Sequence, residues 1–264
     1  MCVFSYYNQS MRVQSLHPWQ MSPSEARAIQ RDLAGEVCRG NEIGAPAMVA
    51  GADISASRSG STGIGAVVVL SFPALELVEV EVVEKRVEWP YIPGLLSFRE
   101  APLVVAACER LKSVPGLLLV DGHGIAHPRR CGIASHLGLL LDIPTIGCAK
   151  SLLCGTHGLL GEEPGSRADV VEGGEVVGAA VRTRANVRPV YVSIGHKVDL
   201  SSAVKWVMKC CTGFRLPQPA RLAHMAASGH FPEYAEMGFK NQEENTVARR
   251  YGAGTARRAP TENA

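Results

Sequence analysis

Two stretches of this chain end in the same way. Met48-Val49-Ala50-Gly51-Ala52 and Gly116-Leu117-Leu118-Leu119-Val120 each carry five uncharged residues and stop at a carboxylate, Asp53 and Asp121. Apolar runs this short, bounded by turn residues, read as strands rather than helices, and their lack of polar alternation means burial on both faces. A strand buried on both faces needs a covering layer on each side. The second run is therefore expected parallel to the first, with a helical crossover between them.

The flanking segments supply that layer. Ser22-Pro23-Ser24-Glu25 places an N-cap serine, a proline at the first helical position and a glutamate three residues after the cap, and Ala26, Ile29, Leu33 and Val37 then mark one helical face. After Asp53, Ser59-Gly60-Ser61-Thr62-Gly63 is turn chemistry, Gly65 to Leu70 is β-branched and apolar, and Leu75 to Val87 contains the alternating Glu79-Val80-Glu81-Val82. Three strands joined by short turns predict an antiparallel meander. Ser97-Phe98-Arg99-Glu100 has capping-box spacing and predicts a helix reaching Lys112. Beyond Asp121, helices are expected over Gly132 to Leu141 and Asp199 to Cys211 and after Pro217-Gln218-Pro219, with strands over Pro144 to Cys148, Val176 to Arg182 and Val190 to Ile194. The expected class is α/β, a mixed sheet of antiparallel meander plus parallel strands with helices on both faces. Residues 1–21 show no periodicity and read as a loosely structured N-terminal segment; from Gly229 the chain turns polar, carries Arg249, Arg250, Arg257 and Arg258, and reads as a mobile tail.

Composition narrows the class little. With 46% hydrophobic and 20% charged residues the chain reads as an ordinary folded protein, and its 264 residues suit one large α/β domain or two small ones. A net charge of +2 neither announces nor excludes nucleic acid, because basic side chains can gather on one face. The eight cysteines are scattered without C-x-x-C spacing and read as small buried residues of a reducing compartment. Neither a signal-peptide pattern nor a run of about 18 apolar residues is present, so the expectation is a cytoplasmic protein with no membrane partner.

At the carboxyl ends of neighbouring strands, where open α/β sheets bind ligands, Asp53 and Asp121 can converge. Two converging carboxylates repel unless a cation lies between them, and all-oxygen coordination with room for water suits Mg²⁺ or Mn²⁺. On spacing alone, the reading of each aspartate as a strand-end turn former is favoured, since Asp commonly ends strands. Glu100 has its own plain role as second member of the Ser97 capping box. His123 and His127 stand four apart, but Gly122, Gly124 and Pro128 argue against the helix that would align them on zinc. Pro90-Tyr91-Ile92-Pro93-Gly94 is a stiff loop between two prolines. It would be a wedge in a nucleic-acid enzyme, since apolar side chains pry base steps apart, and elsewhere a loop packed on the core.

Four blocks go beyond such generic readings. Ala52-Asp53, the run from Pro90 through Leu95-Leu96-Ser97-Phe98-Arg99 to Glu100, Asp121-Gly122-His123-Gly124-Ile125-Ala126-His127-Pro128-Arg129, and Ile146-Gly147-Cys148-Ala149-Lys150-Ser151 resemble, in order, the signature motifs of the endonuclease V family. The resemblance spans residues 22–228, leaving 1–21 and 229–264 outside it. It implies a ribonuclease H-like fold and a magnesium-dependent endodeoxyribonuclease, with Mn²⁺ able to substitute. Such an enzyme hydrolyses the second phosphodiester bond 3′ to deoxyinosine, a deaminated adenine, and leaves 3′-hydroxyl and 5′-phosphate ends. Position by position, Asp53 and Asp121 match the metal ligands, Glu100 the third active-site carboxylate, Lys150 the residue that handles attacking water or phosphate, and His127 a further active-site residue. His224 matches a position near the metal where relatives carry His or Asp. Tyr91 matches the wedge aromatic, with Pro90, Ile92, Pro93 and Gly94 around it. Gly122, Gly132 and Ile133 fall in the lesion pocket, where glycines let backbone approach a flipped base. His123 has the form usual in bacterial relatives, whereas animal relatives acting on inosine in RNA show Asn within this motif.

The expected partner is DNA containing deoxyinosine, bound by a monomer. The first rival is an inosine-specific endoribonuclease of the same fold, acting on inosine-containing RNA. The second is a non-catalytic module that binds damaged DNA, against which the joint presence of Asp53, Glu100, Asp121 and Lys150 speaks.

Overall fold

A computed structural model describes residues 11–56 and 61–231. The middle of the Ser59-Gly60 turn, residues 1–10 of the N-terminal segment and residues 232–264 of the expected tail, with its four arginines, lie outside the described residues.

Helix α1 (Pro23–Glu36) starts as its sequence dictates: the Glu25 amide donates to Ser22 Oγ at 3.3 Å and the Ser22 amide to Glu25 Oε2 at 2.7 Å. The meander follows as β1 (Met48–Ala56), β2 (Thr62–Ser71) and β3 (Leu77–Arg86), paired antiparallel. Next come α2 (Leu96–Cys108), β4 (Leu118–Val120), α3 (Ile133–Leu141) and β5 (Thr145–Ala149). Both crossovers return the chain in parallel, so β4 pairs with β1 and β5 with β4. The remaining strands are β6 (Thr156–His157), β7 (Arg167–Glu172), β8 (Glu175–Val181) and β9 (Val190–His196), and two helices, α4 (Leu200–Lys209) and α5 (Gln218–Ala227), finish the described chain. The nine strands of the described residues form one sheet in the order β3-β2-β1-β4-β5-β9-β8-β7-β6. The expected mixed sheet is therefore observed.

Alternation along the central strands sorts the core into two layers. Ala50 and Ala52 of β1, Val67 and Val69 of β2, and Leu118 and Val120 of β4 pack with Ala101 and Val104 of α2 and Leu137 and Leu140 of α3. The intervening residues Val49, Val68, Leu119, Ile146, Cys148 and Val192 pack with Val204 and Val207 of α4 and Ala223 and Ala226 of α5. Burial of this kind contributes roughly 1.5–3 kcal/mol per large aliphatic side chain. On β1 the contact with α5 is tighter than side chains allow: a Cβ on Gly51 would stand 2.0 Å from the Pro219 carbonyl oxygen. Glycine lets the first turn of α5 lie directly on the strand backbone.

Three expectations differ in detail. Helix α2 opens at Leu96 rather than Ser97, its N-cap Leu95 makes no side-chain cap, and Ser97 Oγ is buried without a hydrogen-bond partner, so Ser97 and Glu100 form no capping box. The helix also ends at Cys108 rather than Lys112. Residues 11–21 adopt neither helix nor strand, yet they are strapped down. Met11 is buried, the Gln14 amide donates to the Leu140 carbonyl, and His17 Nε2 lies 2.7 Å from His136 Nε2. Aromatic packing and backbone bonds order this segment without any periodicity. Among the described residues no helix is long and apolar enough to cross a membrane.

Candidate metal and nucleic-acid site

Asp53 lies where β1 loses a neighbour. The last parallel pair is Ala52 with Val120, and the Asp121 amide still donates to the Ala52 carbonyl at 2.9 Å. Past that point β1 continues to Ala56 beside β2 alone, opening a gap on its β4 side. By alternation Asp53 continues the stripe of Val49 and Gly51, Asp121 that of Leu117 and Leu119, and Lys150 that of Ile146 and Cys148. All three therefore reach toward α5, which contributes His224.

Asp53 Oδ1 accepts from the Ile54 amide at 2.8 Å, and Oδ2 lies 2.6 Å from His224 Nδ1. Lys150 Nζ lies 3.2 Å from that same Nδ1 and 2.5 Å from Asp121 Oδ2. One ring nitrogen cannot both donate to Asp53 and accept from Lys150, so these contacts compete. Asp121 Oδ2, shielded from solvent, is paired with the Lys150 ammonium. Burial first, and the charge of Asp121 second, raise the Asp53 pKa against the His224 contact. Glu100, half-buried in the first turn of α2, is pushed up to about 7 by burial, with Asp53 adding to the shift and Arg99 opposing it. The site is short of positive charge.

That deficit is what a divalent cation corrects. One ligand atom each from Asp53, Asp121 and His224 falls within 4.8 Å of the others, close to the roughly 4 Å across a small hexacoordinate ion. Two carboxylates and one imidazole fit such an ion. Glu100 stands outside this tight group.

The proline-flanked loop leads into α2, which carries Glu100. Tyr91 is 39% exposed and Pro90 and Pro93 are exposed too, whereas Ile92 turns inward onto Ala26, Leu95 and Phe98. The root of the loop is fixed by Trp89, which stacks on Phe98, donates from Nε1 to the Trp19 carbonyl at 2.9 Å, and accepts at its own carbonyl from Arg99. The other end is fixed by Gly94 at φ +79°, whose carbonyl accepts from Arg129 Nη2 at 2.6 Å. Arg129 Nε in turn donates to Gln30 Oε1 at 2.5 Å, and Gln30 Nε2 donates to the Cys131 carbonyl at 2.6 Å.

His127 belongs to this support. It is buried, hydrogen-bonds the Gly94 backbone, and accepts at Nδ1 from the Arg129 amide at 3.1 Å; burial, then the neighbouring Arg129, push its pKa down to about 4. His123 is likewise pushed to about 4 by burial. Gly122 and Gly132 have internal reasons to lack side chains: a Cβ would stand 2.5 Å from Ile133 Cγ2 and 2.3 Å from the His123 carbonyl oxygen, respectively. Ile133 itself is buried in the α2 and α3 layer.

Reading the sequence missed Gln30, Arg129, Trp19 and Arg215. Gln30 left a signal, as a polar residue on the buried side of α1. Arg215 left none; its guanidinium Nη2 binds the Lys150 carbonyl at 2.5 Å and the Pro189 carbonyl at 2.7 Å, setting the backbone of the lysine.

Comparison with known proteins identifies a family. The profile of the endonuclease V family matches residues 31–225. Endonuclease V of Gloeobacter violaceus is 54% identical over 214 residues, which is 80% of this chain and 87% of that protein. The crystal structure of endonuclease V from Streptomyces avermitilis superposes with a TM-score of 0.76 at 38% identity, covering 83% of this chain and 96% of that one. A Ciona intestinalis endonuclease V, crystallised with a 23mer DNA containing an inosine followed by a ribo-adenosine, superposes with a TM-score of 0.66 at 29% identity over 79% of this chain and 97% of that one. With the family profile matched over residues 31–225 and Asp53 and Asp121 brought together at neighbouring strand ends, this chain belongs to the endonuclease V family.

Proposed function

We propose that this protein is a DNA repair endonuclease that hydrolyses the second phosphodiester bond 3′ to deoxyinosine, leaving a 3′-hydroxyl and a 5′-phosphate. The observation that carries this reading is the meeting of Asp53, Asp121 and His224 within 4.8 Å, with Lys150 beside them. The Ciona relative, with inosine-containing DNA bound to it, supports the choice of lesion.

Asp53 and Asp121, with His224 as the third donor, would hold Mg²⁺, or Mn²⁺ in its place. When bound, the ion supplies Lewis-acid stabilisation of phosphate charge and a more acidic water. The protein's own groups do the rest. Lys150, its backbone held by Arg215, places an ammonium beside the phosphate and the attacking water. Glu100 completes the acidic rim on the α2 side. Attack by water forms one P–O bond and breaks the P–O3′ bond, and the departing O3′ takes a proton. Tyr91 enters the stack beside the lesion, while the Gly94, Gly122 and Gly132 backbone lies near the extruded base.

The test is a nicking assay on duplexes with one deoxyinosine, with Mg²⁺, comparing the parent with Asp53→Ala and Asp121→Ala. Product one nucleotide longer than a cut at the first 3′ bond, and loss of at least about 100-fold in rate for each variant, is expected. Faster cutting of a matched inosine RNA would move the substrate to RNA. Binding without any nicking by the parent would leave a recognition module.

A further inference from the structure

Among the described residues only two aromatic side chains count as exposed large apolar groups: Tyr91, and Phe214 at 47%. The loop that carries Phe214 is not loose. Arg215 anchors it to the Lys150 and Pro189 carbonyls, Thr183 Oγ1 donates to the Arg215 carbonyl at 2.6 Å, Thr212 Oγ1 bonds Gln218 Oε1 at 3.0 Å, and Leu216 is buried. A rigid loop thus keeps an aromatic ring in water next to the residue that holds Lys150. The guanidinium of Arg221 stands over that ring, 4.2 Å from its centroid, and Arg221 precedes His224 by one turn of α5. Residues at that spacing share a helix face, about 5–6 Å apart at Cβ.

The two aromatics stand on loops that lead to opposite faces of the sheet. The Tyr91 loop leads into α2, which covers one face of the sheet, and the Phe214 loop leads into α5, which covers the other. A strand whose phosphate lies at Asp53 and Asp121 must leave the cluster in both directions. With the lesion 5′ of the cut and at the Tyr91 loop, the Phe214 side receives the nucleotides 3′ of the cut.

We infer that Phe214 and Arg221 form a second nucleic-acid contact, in which Phe214 stacks on an unpaired base of the strand 3′ of the cut bond and Arg221 faces the phosphate beside it. The chemistry is sequence-tolerant, since every base presents a π-face and every nucleotide a phosphate. The inference rests on the strand-cutting reading above, and deepens it by placing the product side of the strand.

The test uses the full chain without divalent cation and single-stranded oligodeoxynucleotides, with or without one deoxyinosine, carrying 2-aminopurine at successive positions 3′ of the expected cut. The parent and Phe214→Trp should quench one of these positions on binding. Phe214→Ala should lose that quench and bind on the order of tenfold more weakly. It should do so equally with and without inosine. Tyr91→Ala should instead lose preference for inosine and keep the quench. Unchanged quenching and affinity in Phe214→Ala would overturn the inference. If the parent fails to nick inosine strands, the cutting reading fails, and the quench on the undamaged strand still decides whether Phe214 stacks on a base.

Discussion

The Gly94 carbonyl rests 2.6 Å from Nη2 of Arg129, so the loop that follows Asp121 holds the end of the loop that carries Tyr91. Gly94 has φ +79°, and a Cβ there would stand 2.6 Å from the same Nη2. Glycine is required both by the backbone and by the guanidinium beneath it.

Arg129→Ala should therefore loosen Tyr91 without touching the acidic cluster. The expected outcome is about a tenfold fall in the ratio of kcat/KM for inosine over undamaged DNA, with kcat on inosine DNA changed by less than about threefold. Arg129→Lys should not rescue it, because one ammonium cannot serve Gly94 and Gln30 with a fork. An unaltered ratio in steady-state kinetics would show that the clamp does not position the wedge.

Gly51→Ala tests the seat of α5. The new methyl would meet backbone on both α5 atoms nearest to it, the oxygen and carbon of Pro219, and cannot be relieved by a rotamer, so a loss of about 3 kcal/mol or more is expected. Because α5 carries His224 toward Asp53, the variant should also bind Mn²⁺ more weakly. Urea unfolding and calorimetric Mn²⁺ titration measure the two effects separately.

Metal binding should register as stability. At a Mn²⁺ concentration 100 times its Kd the parent should gain about 2.7 kcal/mol, read as a rise in Tm of roughly 5–10 °C. Asp121→Ala should abolish the rise. Lys150→Met should retain it while nicking at least about 100-fold more slowly, which separates holding the ion from handling phosphate. A parent Tm indifferent to Mn²⁺ and Mg²⁺ would remove the ion from this site.

The paired histidines set the acid limit. His136 is wholly buried, and burial, then the neighbouring His17, push its pKa down to about 3. The folded-state pKa lies below that of the unfolded chain, so the stability from keeping His136 neutral is complete above about pH 6.5 and is lost as pH falls toward 3. At pH 5 the loss should be about 2 kcal/mol from this group. His136→Gln should make the decline in urea midpoint between pH 7 and 5 shallower by one proton's worth; an unchanged slope would mean that His136 does not titrate on unfolding.

Local chemistry was legible in the sequence where local chemistry decides the structure. The Ser22 and Glu25 cap, the central strands and the convergence of Asp53 with Asp121 all follow from spacing, periodicity and motif. What was not legible depends on partners distant in the chain. Ser97 looked like a cap because its spacing to Glu100 is right, but Leu95, buried with Phe98, sets the start of α2 instead. The segment at residues 11–21 has no pattern because three long-range contacts, at Leu140, His136 and Trp89, order it. The link from Arg129 to Gln30 joins residues 99 apart, and β7 was passed over because Arg167–Glu172 mixes charges with short apolar stretches.

The stripe along which Asp53, Asp121 and Lys150 lie has a consequence for how such a protein can change. Each of the three holds its place by an even number of steps from the apolar residues behind it. Adding or deleting a single residue upstream within β1, β4 or β5 would turn the functional group to the α2 and α3 side and bring an alanine, valine or alanine neighbour out in its stead. Length can be gained freely in the connections, as at residues 158–166, but in these three strands only by twos. A lineage can therefore rebuild its loops around new substrates long before it can relocate the carboxylates.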